Sequence, residues 1–248
     1  MSKFVSGRIA KFIAAAGVCS RRQAEKMILQ GRVRIDAQTI NTPVITVTPE
    51  NVVEIDGKII SLIEQTRLWL YYKPVGLITT HHDPQNRPTV FEALKPYLPR
   101  VISVGRLDLN SEGLLLLTNS GTLAQELESP KNNFARVYKV RAHGKVSSLI
   151  TYIIHNKSRP LTIDNITYTP KSIRLISEGA TNSWFEVILT EGKNREIRKI
   201  FEYFSLKVNR LIRVKYGKYD LGDLKPGEFK EVRMTPVFGN GIIPPILK

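Results

Sequence analysis

The sequence predicts an α+β protein: a small N-terminal helix–turn–helix with a β meander, followed by a larger unit built on a mixed, mostly antiparallel sheet. Three observations lead there. Strand-like runs and helical periodicities intermix without the regular alternation of a parallel α/β fold. The 248 residues are 42% hydrophobic and 24% charged, an ordinary globular balance that can bury a sizeable core. That length suits one large domain or two unequal ones. The predicted division is 1–62, then 67–238 after a short linker, then a C-terminal tail at 239–248.

In the first unit, Ile9, Phe12, Ile13 and Ala16 recur at helical spacing up to Gly17. Ser20-Arg-Arg-Gln23 has the form of a capping box, so a second helix starts there, and Gly31 ends it. Val33–Ile35, Val44–Val47 and Val52–Ile55 have β character, and Asp56-Gly57 is a hairpin turn leading to Lys58–Ile60. Helix–turn–helix plus a small meander is too small to be an enzyme. Its basic residues include Arg8, Arg21, Arg22, Lys26 and Arg32. Arg21 and Arg22 stand at a helix start, where positive charge opposes the helix dipole. They are placed to grip phosphate rather than to stabilise the helix.

In the second unit, strands are predicted at Leu68–Tyr72, Val101–Val104, the four-leucine run Leu114–Leu117, Tyr138–Arg141 and Trp184–Leu189. Helices are predicted at Val90–Leu94, Thr122–Leu127, Val146–His155 and Glu196–Phe204. There is no internal repeat.

Thirty-seven Lys and Arg against 22 Asp and Glu give a net charge of +15, which calls for a polyanionic partner. No apolar run approaches the roughly 20 residues needed to span a bilayer. A membrane is therefore not expected, and neither is secretion, because Lys11 interrupts the apolar N-terminal stretch. A cytoplasmic protein is expected. The single Cys19 excludes an intrachain disulfide and a cysteine-based zinc site. His81-His82-Asp83 is no metal site either, since adjacent side chains diverge in an extended segment. Phosphate-loop and dinucleotide fingerprints are absent.

Two stretches stand out. Gly105-Arg-Leu-Asp-Leu-Asn-Ser-Glu112 is a loop between strands that carries Asp108 and Glu112. It reads first as a polar loop with a capping Asp, and as a second option as a two-carboxylate site of glycosidase type. Residues 191–218 hold nine Lys or Arg against three Glu, among them Lys193, Arg195, Arg198 and Arg210. Gly192 before a helix with a basic first turn reads as an anion cradle.

Together, Lys73-Pro-Val-Gly76, Asp83, Arg87-Pro-Thr-Val90, Gly105-Arg-Leu-Asp108 and Glu191-Gly-Lys-Asn-Arg-Glu-Ile-Arg198 carry a family resemblance. They resemble the ribosomal RNA pseudouridine synthases of one group, made up of synthase A for the small ribosomal subunit and synthases B, E and F for the large one. Residues 1–60 resemble the alpha-L RNA-binding domain of that group. The resemblance spans about residues 3–236, and Asn209-Arg-Leu-Ile-Arg-Val-Lys-Tyr-Gly217 looks most like the synthase B branch. Asn86 stands where the group usually has Gly, and Ser120 where it often has Asp. Asn tolerates the left-handed backbone that Gly would supply.

The resemblance implies an isomerase that needs no cofactor, metal or energy source. Uracil leaves its ribose, turns in the pocket and reattaches through ring carbon 5. Asp108 matches the catalytic aspartate and Arg198 the basic residue that pairs with it. Tyr138 matches the tyrosine that stacks on the base, Leu211 an apolar wall of the pocket, and Arg106 the residue filling the gap left by a flipped uridine. Glu112 then becomes structural. The implied partner is ribosomal RNA of the large ribosomal particle, with the chain acting as a monomer. The alternative is a non-catalytic RNA-binding ribosome-assembly factor that uses the N-terminal unit alone.

Overall fold

The structure is a computed structural model that describes residues 6–62, 65–156 and 160–232. The predicted tail at 239–248 and the end of the predicted second domain lie outside the described residues.

The N-terminal unit runs β1 (Gly7–Arg8), α1 (Ile9–Ala15), α2 (Arg21–Leu29), β2 (Val33–Ile35), β3 (Gln38–Ile40), β4 (Thr46–Val47), β5 (Val53–Ile55) and β6 (Lys58–Ile60). Both helix stops are left-handed glycines. At Gly31 (φ 68°) the Arg32 amide bonds back to the Met27 carbonyl and the Gly31 amide to that of Ile28, closing a Schellman motif. The capping box at Ser20 forms as predicted, with the Gln23 amide donating to Ser20 Oγ and the Ser20 amide to Gln23 Oε1. Ile9, Phe12 and Ile13 of α1 pack with Ala24 and Ile28 of α2 and Val33, Val47 and Val53 of the strands. Burying each large aliphatic side chain contributes about 1.5–3 kcal/mol, so these few residues supply most of this unit's cohesion.

The predicted meander is corrected in one respect. The sheet order is β3-β2-β5-β6, and Thr46–Val47 leaves it to pair with Gly7–Arg8. Gln38–Ile40 takes the vacant edge through a hairpin at Asp36-Ala37, both left-handed (φ 48° and 68°). Alanine is a poor residue for that backbone. The Asp36 carboxylate holds the turn by accepting from Asn51 Nδ2 and the Val52 amide, at 2.7 and 2.8 Å.

The second unit continues β7 (Leu68–Lys73), α3 (Val90–Leu94), β8 (Ile102–Val104), β9 (Glu112–Thr118), α4 (Gly121–Glu128), β10 (Arg136–His143) and α5 (Ser147–Asn156). Then come β11 (Leu161–Ile163), β12 (Ile166–Tyr168), β13 (Ser172–Ser177), β14 (Asn182–Leu189), α6 (Glu196–Tyr203), β15 (Lys207–Tyr216), β16 (Tyr219–Asp220) and β17 (Phe229–Val232). The main sheet has the order β13-β14-β10-β15-β9-β7-β17, with β8 beside β9 and β16 beside β15. Every pairing in it is antiparallel except β15 with β9, which is parallel and rests on two register pairs, Ile212–Glu112 and Arg213–Gly113. Gly113 has φ 101°, and a Cβ there would lie 2.3 Å from the Arg213 carbonyl oxygen. Only glycine lets these strands meet.

Two cores flank the sheet. Leu115, Leu117, Tyr138, Val140, Phe185 and Val187 share one with Val90, Ile200 and Phe201 of the helices. Leu68, Leu70, Leu114 and Leu116 share the other with Leu123 and Leu127 of α4. A strand buried on both faces reads as a continuous apolar run, which explains the four leucines of β9. On β10 the pattern alternates instead: Tyr138, Val140 and Ala142 are buried, while Lys139, Arg141 and His143 are exposed.

Candidate active site

The loop joining β8 to β9 is fixed by its backbone. Five consecutive carbonyls, from Leu107 to Ser111, all accept hydrogen bonds. Thr79 Oγ1 donates to Leu107 O at 2.9 Å, and the Gly76 amide to Leu109 O at 2.9 Å. Lys73 Nζ donates to Asp108 O at 3.1 Å and to Ser111 O at 2.8 Å, and Arg198 Nη2 donates to Asn110 O at 2.7 Å. The Ser111 amide also bonds to Asp108 O, at 3.0 Å. The Asp108 residue is exposed on this fixed frame. Side chains locked in this way hold a reacting group in place without cost at the moment of reaction.

Lys73 is fully buried at the end of β7. Desolvation pulls its ammonium down to about 8, and the charges of Asp108 and Glu112 oppose the fall. Sequence reasoning gives Lys73 no role, because the carbonyls it holds lie 35 and 38 residues away along the chain.

Arg198, on the first turn of α6, bridges Asn110 O and Val208 O, thereby tying the helix to both the loop and β15. Its Nε is buried and has no protein partner. Burial and the neighbouring Arg195 charge lower its pKa, and the Asp108 charge raises it back. The guanidinium therefore feels the Asp108 carboxylate while making its hydrogen bonds to backbone.

Leu107, Tyr138, Leu211 and Ile197 belong to one apolar cluster. The residue preceding Asp108, the strand tyrosine and the predicted pocket wall thus share one buried core. Arg106 is exposed next to them.

The basic residues divide. Arg8, Arg21, Arg22, Lys26 and Arg195 are exposed. Arg32 is also exposed but ion-paired with Asp56, with Nε 2.9 Å from Oδ1. Lys193 donates to the Glu191 carboxylate and to Thr167 O. Arg210 clamps Glu112 through Nε (2.6 Å) and Nη2 (3.2 Å), while Tyr72 Oη donates to the same carboxylate at 2.8 Å. Glu112 is thus held by two partners, which leaves Asp108 as the uncommitted carboxylate of the loop.

Helix α6 starts at Glu196, where it is predicted, four residues beyond Gly192; it follows left-handed Arg195 (φ 50°), and its first residue, Glu196, is buried. Burial and the Glu191 carboxylate push Glu196 up to about 8. His81 lies stacked on Phe91, with ring centroids 3.6 Å apart. Asp83 receives the Arg87 side chain and amide, which lower its pKa to about 2. Asn86 is left-handed (φ 53°), as expected where it stands in for Gly. Among the described residues no group of three His, Cys, Asp or Glu could hold a metal, and no helix is long and apolar enough to cross a membrane.

Comparison with known proteins identifies two families along the chain. Residues 67–203 match the family described as RNA pseudouridylate synthase, and residues 7–53 match the S4 domain. An uncharacterized RNA pseudouridine synthase of Rickettsia typhi is 58% identical over 225 residues, covering 91% of each chain. The ribosomal large subunit pseudouridine synthase B of Shigella flexneri is 40% identical over 224 residues, 88% of this chain and 76% of that protein. Its namesake from Pasteurella multocida is 38% identical over 238 residues, 93% of this chain and 68% of that one. A crystal structure of a pseudouridylate synthase shares the fold, with a TM-score of 0.61 at 24% identity over 91% of this chain and 96% of that one.

Proposed function

The chain belongs to the RNA pseudouridylate synthase family, and from that premise we propose that it isomerises one uridine of large-subunit ribosomal RNA, with Asp108 as the catalytic carboxylate. The observation that carries the assignment is the pinned loop: its carbonyls are all bonded, Asp108 is exposed on it, and the neighbouring Leu107 is buried in the core that also holds Tyr138 and Leu211. The ribosomal target rests on the printed names of the relatives that are 38% and 40% identical.

In this reading the flipped uridine enters with its base against Tyr138 and Leu211. The bond from ring nitrogen 1 to the ribose breaks, the base turns, and carbon 5 bonds to the same anomeric carbon. The carbon 5 proton then leaves, and nitrogen 1 ends protonated. The ionised Asp108 serves the cleavage, either by attacking the anomeric carbon or by taking a proton from its neighbour. Arg198 ties the Asp108 loop to β15 through Asn110 O and Val208 O and places its charge near the carboxylate. Flipping costs a few kcal/mol, least in loops, so a hairpin loop is the expected target. The unit at 1–62 holds flanking RNA through the exposed Arg8, Arg21, Arg22 and Lys26, and 67–238 carries the chemistry.

The test uses large- and small-subunit rRNA transcripts whose uracils carry tritium at ring carbon 5. Wild type should release tritium from the large-subunit transcript, and Asp108→Asn should release none while binding as tightly. Release by Asp108→Asn at the wild-type rate would remove Asp108 from the mechanism. Release from the small-subunit transcript alone would overturn the target.

A further inference from the structure

The two faces of β10 differ in kind. Tyr138, Val140 and Ala142 turn toward the site, and Lys139, Arg141 and His143 turn to solvent on the other side of the sheet. The antiparallel register with β15 sets Arg141 opposite Arg210 and His143 opposite Lys207. Like charges directly opposite one another destabilise a strand pair. Glu112 neutralises Arg210, and Glu186, which faces Lys139 from β14, is taken by Arg174 at 3.0 Å. Among the described residues no ion pair engages Lys139, Arg141 or Lys207. A sheet face built this way costs the fold stability unless something anionic lies on it.

We propose that the outward face of β10 and β15, with Lys139, Arg141, His143 and Lys207, is a second RNA-contact surface that grips the sugar–phosphate backbone outside the target loop. Same-face residues on a strand recur about every 6.6–6.8 Å. Cations in such a row can each neutralise a different phosphate of one RNA backbone. Ile212, opposite Lys139 on β15, is buried rather than offered to a partner. The aromatic residue of the face is the half-buried Trp184, directly across from Arg141 on β14. With the N-terminal arginines, this surface would hold the RNA on more than one side of the catalytic sheet, which fits a structured rRNA segment better than a bare loop. The proposal rests on RNA being the substrate and not on Asp108 being the catalyst.

The experiment compares the full chain with the double variant Lys139→Gln/Arg141→Gln and with Arg141→Lys, using the unmodified large-subunit transcript as probe. The slope of log affinity against log salt should be shallower by about 1.5 in the double variant, and affinity near 0.1 M salt roughly tenfold or more weaker. Arg141→Lys should keep the wild-type slope. Tritium release at saturating enzyme should match wild type, because neither residue faces the site. In the wild type, RNA should also quench Trp184, since the other tryptophan, Trp69, is buried. An unchanged slope and affinity would overturn the proposal. So would a double variant that binds the transcript normally but no longer associates with purified large ribosomal particles, since the face would then serve a protein. A wild type that binds RNA and releases no tritium would sink the isomerase reading and leave this surface standing.

Discussion

The buried ammonium of Lys73 holds the Asp108 residue by its main chain: Nζ lies 3.1 Å from the Asp108 carbonyl oxygen, leaving the carboxylate uncommitted. A cation that engaged the carboxylate directly would compete with substrate for it. Lys73 instead fixes where the carboxylate stands, and its remaining donors go to Ser111 O and Pro74 O.

Lys73→Met removes donors from two loop carbonyls while keeping the side chain's bulk. An unsatisfied buried carbonyl costs about 1–3 kcal/mol. The single-turnover rate should fall at least tenfold with little change in RNA affinity. The pH dependence separates a positioning role from simple destabilisation. Since Lys73 titrates near 8 when folded and near 10.5 when unfolded, the unfolded chain binds more protons between those values. This group therefore makes stability rise from pH 8 to 10.5. The wild-type rate should nonetheless fall above about pH 8, as the ammonium loses its proton, and Lys73→Met should lack that limb. A wild-type rate that stays flat to pH 10 would remove Lys73 from the positioning of the loop.

Arg198→Met should lower the chemical rate about a hundredfold or more, because it takes away both the charge near Asp108 and the tie between Asn110 and Val208. Arg198→Lys keeps the charge but lacks a planar fork that reaches two carbonyls. Its rate should lie between those of Met and wild type. A Lys variant as slow as the Met variant would show that the tie, and not the charge, carries the effect.

Glu196 titrates near 8 in the folded chain against an ordinary value of 4.5. A raised pKa means that its contribution to stability is full below pH 4.5 and is lost as pH rises through 8. Glu196→Gln, permanently neutral, should flatten that decline: thermal unfolding should match wild type near pH 5 and be higher at pH 9. Equal melting temperatures at both pH values would contradict the buried, proton-holding carboxyl.

Gly113→Ala should be the most damaging of these substitutions, since the added carbon meets the Arg213 backbone at 2.3 Å on a left-handed residue. Forcing the strands apart should cost more than about 3 kcal/mol. Soluble yield and chemical denaturation would report it.

Arg210→Met should behave as a stability variant rather than a binding variant, because its guanidinium is engaged with Glu112. Half of the Arg210 side chain is exposed, so screening limits the loss to about 1 kcal/mol. Denaturant midpoints and RNA affinity, measured side by side, would distinguish the two outcomes.

Much of this architecture is legible from local pattern. The Ser20 capping box, the Asp56-Gly57 hairpin, the leucines of β9 and the period of α6 rest on residues close in sequence, and each forms as read. The misses share a different cause. Asp36-Ala37 turns left-handed because Asn51 and Val52 secure it, and alanine announces nothing of the kind. A second hairpin, at Asp164-Asn165 between β11 and β12, is not among the predicted elements although both residues are turn formers, because its three-residue strands are too short to show a period. Arg32, Lys193 and Arg210 look alike as free cations in the sequence, and only the folded partners Asp56, Glu191 and Glu112 separate them from Arg21 or Arg195. Lys73 gives no sign because its partners lie 35 and 38 residues on, just before the strand that pairs with its own.

The parallel meeting of β9 and β15 has a bearing on how the site tolerates change. Asp108 lies four residues before the β9 side of that two-residue contact and Leu211 one residue before its β15 side, so the spacing of their main chains is set by backbone against backbone. Substitutions that keep Gly113 are therefore expected to leave that spacing unchanged, and change in this fold is expected to collect in the loops and charged faces around it.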